Sequence, residues 1–323
     1  MVSVKKHYDE IDIYKGIAML LIILGHCFCS HPVDFGESGF IGVQSFIASF
    51  NLNMFFIASG ILFSVKDKWV PFLRKKVQRL LLPWFAFILL SLFLRYIFST
   101  YTHGHVDNVF REIFLSILCG KYYWFLYALF VMMVITKLIR NRYVLAILGV
   151  GMLVFQSIII DFAPNPNVLC ASRIVHYYPW FIIGFLLKNI YPTMREQMCD
   201  RQSCLIFIFL FVLLLAINTL VPLWVNLYIM PLLGCIAFWY LSVALLNIND
   251  LRKVFSFIGR YSLQYYLNHL LIMLPLYYVG ALVFSSSPLL ALTLIFIMAI
   301  IVSSIMIIIE RKMPYVNKVC GFV

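Results

Sequence analysis

Asp9-Glu-Ile-Asp-Ile-Tyr-Lys-Gly-Ile-Ala-Met-Leu-Leu-Ile-Ile-Leu-Gly-His26 opens the first long apolar run of the chain, with acidic and basic residues at its start and a histidine near its far end. Lys15 and His26 are eleven residues apart. At 3.6 residues per turn that is about three full turns, so both side chains fall on one face, roughly 16 Å apart along the axis. A cation at one membrane surface and a titratable base deep on the same stripe is more than an anchor needs. An ionisable group inside a membrane helix is by default a functional candidate. The spacing also suits an extended thioester arm whose phosphate end stays at the aqueous face.

Working outward, the rest of the chain has the same character. It is 63% hydrophobic and 12% charged, with a mean hydropathy of +0.97. Apolar runs of about membrane-spanning length recur from end to end. We read ten, at about 14–31, 40–64, 80–99, 122–139, 143–161, 172–190, 204–222, 226–246, 259–281 and 288–310. The predicted fold is therefore an all-α membrane protein, a bundle of about ten transmembrane helices forming a single domain over 1–323. The first run is too polar at its start, and lacks a small-residue cleavage site, to read as a removed signal peptide.

Of the 25 Lys and Arg residues, 21 fall in alternate gaps between the runs; Arg111 and the pair Lys121 and Arg173 lie on the other side, and Arg95 within a run. By the positive-inside rule both termini are expected in the cytoplasm, in a multi-pass protein of the cell membrane. The formal charge of +12 is then mostly topology, and no motif for nucleic acid accompanies it. The eight cysteines form no Cys-x-x-Cys pair, several lie inside apolar runs, and no disulfide framework is expected.

Polar residues inside the runs mark surfaces that lipid cannot satisfy. The second run holds Gln44, Ser45, Ser49, Asn51, Asn53 and Ser59, which either bond neighbouring helices or line one cavity with His26. Arg74, Lys75, Lys76 and Arg79 crowd the start of the third run. They serve equally as a positive-inside anchor and as a phosphate clamp. Arg95, near the outer end of that run, can snorkel to the interface. His103 and His105 lack a third ligand at metal-site spacing and read as solvated loop residues, so no metal is expected. Tyr122, Tyr123 and Trp124 stand at the depth of an interfacial aromatic belt, or of a platform on which a sugar ring stacks. In the ninth run Ser262, Tyr266 and His269 follow an i, i+4, i+7 pattern, a polar stripe that must face the bundle interior.

Taken together these blocks resemble the acyltransferase-3 family of integral-membrane O-acyltransferases. Within it the likeness is to the fucose 4-O-acetylase-like branch that acetylates sugars of bacterial surface polysaccharides. Asp12-x-x-Lys15-Gly16 followed by Gly25-His26 is similar to the family's basic residue, ten intervening residues and histidine. Phe55-Phe-Ile-Ala-Ser-Gly60 resembles its second-helix ending, and Lys76-x-x-Arg79 with Leu80 and Pro83 its basic cytoplasmic signature. Trp124-Phe-Leu-x-Ala-Leu-Phe130, Phe181-Ile-Ile-Gly184 and Gly259-x-x-Ser262-Leu-x-x-Tyr266-Leu-x-His269 are similar to further blocks. The branch commonly has histidine and proline where this chain has Asn51 and Asn53.

The resemblance implies transfer of an acyl group, most often acetyl, from cytoplasmic acetyl-CoA to a hydroxyl of a surface polysaccharide, an exopolysaccharide or its lipid-linked precursor. His26 would be the general base, since an imidazole's unperturbed pKa of about 6.5 lies near working pH. Lys76 and Arg79, helped by Arg74 and Lys75, would hold the phosphates of acyl-CoA, and Lys15, positioned by Asp12, would guide the arm. Asn51, Ser262 and Tyr266 are the donors open for the developing oxyanion, with Asn53, Trp124 and His269 as supporting or acceptor-side residues. The partners expected are acyl-CoA, a glycan or lipid-linked glycan and membrane lipids, with no nucleic acid and no permanently bound cofactor. The rival reading is a multi-span transporter or flippase for a glycan precursor, although the two halves show no repeat. A scaffold derived from the family would have no need of a base as deep as His26.

Overall fold

The computed structural model describes residues 7–28, 39–97, 108–162, 168–198, 200–220, 223–283 and 287–322. Lys5, Lys6, His103 and His105 lie outside them. Helix makes up 89% of the structure, and the described residues contain no strand. In chain order the helices are α1 (Asp9–Phe28), α2 (Gly39–Ala48), α3 (Asn51–Leu62), α4 (Trp69–Lys76), α5 (Leu82–Ile97), α6 (Val109–Cys119), α7 (Trp124–Ile139) and α8 (Arg142–Phe162). They continue with α9 (Ala171–Leu187), α10 (Tyr191–Glu196), α11 (Asp200–Leu220), α12 (Leu223–Ala244), α13 (Asn249–Arg260), α14 (Ser262–Val283), α15 (Pro288–Lys312) and α16 (Pro314–Val319).

Among the described residues, eight helical stretches are long and apolar enough to cross a membrane. Of the ten runs read from sequence, those at 143–161 and 259–281 coincide with α8 and α14, which are helical but not among the eight. The bundle is that of an integral-membrane protein. Its six described cysteines are free.

The helices also break where the hydrophobic pattern alone runs on. The second run turns at Ser49 and Phe50, dividing α2 from α3. Between α4 and α5 the helix continues through a π-type turn at Val77–Leu81. The ninth run breaks at Tyr261, so Gly259 and Arg260 close α13 rather than open α14. With Ile258 buried, Phe255 and Phe257 half-buried and Asn249, Asp250 and Lys253 exposed, α13 has the pattern of a helix lying along an interface.

Inside a bilayer apolar burial does not itself drive helices together, so close van der Waals approach must. Two glycine pairs supply it. A methyl group on Gly259 of α13 would lie 1.7 Å from the Asp12 carbonyl oxygen of α1, and one on Gly16 2.2 Å from the Phe255 oxygen. At the crossing of α3 and α9, a methyl on Gly60 would lie 2.1 Å from the Phe181 oxygen, and one on Gly184 the same distance from that of Ile57. The first crossing sets α1 beside the interfacial helix, and α1 then packs on α2, α3, α12, α14 and α15. It is the most enclosed of the eight candidate spans, 67% of its apolar window being buried against 11% for the stretch Arg201–Asn218. The helix carrying Lys15 and His26 is thus the bundle's axis.

Two lysines that the charge pattern assigns to topology alone hold the α3–α4 linker. Lys137 is fully buried and donates to the carbonyls of Val65, at 3.0 Å, and Asp67, at 2.5 Å. Lys188 donates to the carbonyl of Phe63. Fixing this linker fixes the direction in which α4 leaves, and with it the cations at its end.

Candidate active site

Two cavities meet at the middle of the bundle. The basic cavity, of about 190 Å³, is lined by Lys15, Lys76 and Arg79 together with Ser262. The histidine cavity, of about 380 Å³, is lined by His26, Asn51, Arg95 and Trp124 among others. Ile22, Leu52, Phe125 and Tyr266 belong to both walls. On α1 this makes Lys15, Ile22 and His26 one stripe, at spacings of seven and four residues, as the helical period requires.

Lys15 is held in place by its own helix. Its ammonium lies 2.9 Å from Asp12 Oδ1, and the other Asp12 oxygen faces Arg260 Nε at 3.7 Å and His7 Nε2 at 3.1 Å. Asp12 is buried, so the Lys15 and Arg260 cations offset the desolvation of its charge. Arg79 and Arg260 are near enough to Lys15 to repel it, leaving an excess of positive charge at this mouth. Lys76, one residue before the π turn, sits 5.7 Å from the centre of the Phe63 ring, and Arg79 lies within the turn. Arg74 and Lys75 are exposed and line neither cavity. Of the four cations the sequence groups as a clamp, the structure brings two to the cavity.

At the other end, His26 lies against His269, ring centroids 5.3 Å apart. His269 is fully buried, its Nδ1 2.8 Å from the Tyr265 carbonyl oxygen. A carbonyl only accepts, so Nδ1 carries the proton and Nε2 the lone pair of the neutral ring. Asn51 is the residue after the α2–α3 turn; its Oδ1 accepts from the Leu52 N–H at 2.6 Å, and its Nδ2 lies beside Gly25. It shares the wall of the histidine cavity with His26. Asn53, two residues on, lines neither cavity and donates to the Ser49 carbonyl at 3.4 Å. Its place is in the local packing of α3. Ser262 reaches only the basic cavity, and Tyr266 touches both.

The aromatic side of the histidine cavity is a stack. The Trp124 and Tyr177 rings lie 5.5 Å apart at 26°, and Tyr177 and Phe56 5.1 Å apart at 24°. The Arg173 guanidinium lies over the Trp124 ring at 4.7 Å and donates to the Gly120 carbonyl at 2.8 Å. Gly120 and Tyr123 both have left-handed backbone, with φ of 58° and 52°, which folds the α6–α7 turn tightly over the cavity. Sequence reading left Arg173 and Tyr177 out of the site. The signal for Arg173 was its position, a cation on the side of the chain that has few.

No curated protein and no solved structure matches the chain. The chain does match the family profile of the acyltransferase domain, over residues 8–308. It belongs to the acyltransferase-3 family, and with its bundle of apolar helices it is a membrane acyltransferase.

Proposed function

We propose that the protein moves an acetyl group from cytoplasmic acetyl-CoA to a sugar hydroxyl of a surface polysaccharide or its lipid-linked precursor, as in the fucose 4-O-acetylase-like branch. In this reading the chain crosses the cell membrane ten times with both termini in the cytoplasm. The basic cavity is then the donor side and the histidine cavity the acceptor side. The observation that supports it is the meeting of the two cavities across Ile22, Leu52, Phe125 and Tyr266, with cations on one side and the histidine on the other.

Lys76 and Arg79 take the CoA phosphates, charge-assisted contacts that shift little as the thioester arm enters. Lys15, held by Asp12, sits further in along the arm. The thioester carbonyl reaches the shared wall. His26 accepts the proton of the sugar hydroxyl as its oxygen attacks the carbonyl carbon, the carbon–sulfur bond breaks, and CoA leaves as a thiolate that is then protonated. Tyr266 is the oxyanion donor of choice, because Ser262 reaches only the donor side and Asn51 only the acceptor side. Asn51 can bond the acceptor but cannot take its proton.

The test is purified protein in nanodiscs with radiolabelled acetyl-CoA and host lipid-linked glycans, comparing wild type with His26→Ala. Acceptor-dependent label transfer and CoA release that vanish in the variant support the reading. Equal behaviour, with CoA neither bound nor consumed, overturns it, and the two opposed cavities then fit a glycan transporter.

A further inference from the structure

We infer that the rim of the basic cavity holds the nucleotide end of the donor, its adenine stacked on the aromatic group Phe257, Tyr261 and Phe322, with Arg260 and Arg311 supplying charge for the ribose phosphate. This rests on the assignment of the basic cavity to acyl-CoA, and it adds a subsite outside the space that Lys76 and Arg79 line.

Three separate connections tie this group to the cavity. Tyr261, between α13 and α14, directly precedes Ser262 and Leu263, which are both in the cavity wall. Arg260, one residue earlier, faces at 3.7 Å the Asp12 carboxylate that holds Lys15. Phe322 follows Gly321, where a methyl group would lie 2.9 Å from the Arg79 carbonyl oxygen and 3.1 Å from Leu263 Cδ2. The chain after α15 is folded back to reach this place. The buried Gln264 amide donates to the Cys320 carbonyl at 2.9 Å, and Gly321, with a φ of 75°, makes the last turn.

The Tyr261 ring lies 4.9 Å from that of Phe257 at 60° and 6.0 Å from that of Phe322 at 51°, and the Arg311 guanidinium stands 5.0 Å over it. All three rings are half-buried and both arginines are exposed, so the group presents aromatic surface and charge together. Bases stack on aromatic rings and on guanidinium planes, and the phosphates of the same molecule seek cations. Rings that only anchored helices in the interface would have no reason to gather at the mouth of a cationic cavity. Size points the same way. At about 190 Å³ the basic cavity is below the roughly 300 Å³ at which pockets for drug-sized ligands begin, so it takes only part of a molecule as large as acyl-CoA. With the diphosphate at Lys76 and Arg79 and the thioester further in, the adenine and its ribose phosphate are the part left at the rim.

Three ligands test this on the full chain in nanodiscs of neutral lipid. They are acetyl-CoA, S-acetyl-4′-phosphopantetheine, which keeps the arm and lacks the nucleoside, and 3′,5′-ADP, which is the nucleotide end alone. KM is measured for the two thioesters with host lipid-linked glycans as acceptor, and 3′,5′-ADP binding by calorimetry. Tyr261→Leu should raise the ratio of the acetyl-CoA KM to the phosphopantetheine KM about tenfold, the worth of one stacked base, and weaken 3′,5′-ADP by the same factor. Tyr261→Phe keeps the ring and should retain most of the affinity. Arg311→Gln should weaken 3′,5′-ADP at low salt and less so at high salt. Because the ratio compares two substrates in one preparation, a partly unfolded variant does not alter it. Wild-type protein that binds no 3′,5′-ADP, or a Tyr261→Leu variant that binds it as well as wild type, overturns the inference and leaves the rings to the membrane interface; acetyl transfer found alongside that result keeps the proposed function. Tyr261-dependent binding of 3′,5′-ADP without any transfer does the reverse, keeping the nucleotide site and counting against the proposed acetyl transfer.

Discussion

The rings of His26 and His269 lie 5.3 Å apart, and His269 commits its Nδ1 proton to the Tyr265 carbonyl. That bond fixes the tautomer of one histidine beside the other. The second ring then presents a lone pair on Nε2, which has no hydrogen-bond partner. If His269 positions the base, its loss costs turnover and leaves donor binding alone. His269→Ala should lower kcat about ten- to hundredfold, a part of what a general base contributes, with the KM for acetyl-CoA unchanged. His269→Phe keeps the packing and loses the lone pair; His269→Gln offers an acceptor again. Recovery in the glutamine variant, but not in the phenylalanine one, is the expected pattern in steady-state kinetics.

The four cations at α4 and the π turn should separate by position. Lys76 and Arg79 line the basic cavity, whereas Arg74 and Lys75 line neither cavity. Lys76→Ala and Arg79→Ala should each raise the KM for acetyl-CoA about tenfold or more, as the loss of a charged contact to phosphate does. Arg74→Ala and Lys75→Ala should change it less than about twofold, because neither lines the cavity. Dephospho-CoA thioesters would narrow which phosphate each residue holds.

At the crossing of α1 and α13 the backbones touch. The atom that a Gly259 methyl group would strike is the Asp12 carbonyl, part of a helix and unable to swing aside. Gly259→Ala should therefore force the two helices apart, destabilising the protein by about 3 kcal/mol or more. Since Asp12 and Lys15 ride on that crossing, donor binding should weaken with it. Gly42→Ala, in α2, is the control, with nothing within 4 Å of the added carbon. Thermal unfolding in detergent should show a lower midpoint for the first and no drop for the second.

What could be read from the sequence was whatever a fixed helical period dictates. The stripe from Lys15 to His26 and that from Ser262 through Tyr266 to His269 are consequences of 3.6 residues per turn, and the structure places both on the cavities or against His26. Where the period is broken, face assignments fail. Arg74, Lys75 and Lys76 are consecutive and point to different sides of the helix, and Arg79 follows within a π turn, so nearness in sequence did not tell which of the four reach the cavity. The α2–α3 break at Ser49 and Phe50 carries no glycine or proline to announce it. Arg173 on Trp124, and Lys137 on the α3–α4 linker, are contacts between residues about 50 and 70 positions apart, and no local pattern encodes them.

Phe125 and Tyr266 close the space between the cavities, their rings 5.3 Å apart. Water that crossed this wall could attack the thioester in place of a sugar, so the wall should protect acetyl-CoA as well as position it. The two residues then make separable contributions. Phe125→Ala removes ring and packing and leaves the Tyr266 hydroxyl, so acetyl-CoA hydrolysis without acceptor should rise while acceptor transfer falls. Tyr266→Phe keeps the wall and removes the hydroxyl; transfer should drop about 10²-fold, the cost of one oxyanion donor, with no rise in hydrolysis. Following free CoA and acetylated glycan in the same reaction distinguishes them. Equal hydrolysis in wild type and Phe125→Ala would mean that water is excluded elsewhere along the donor path.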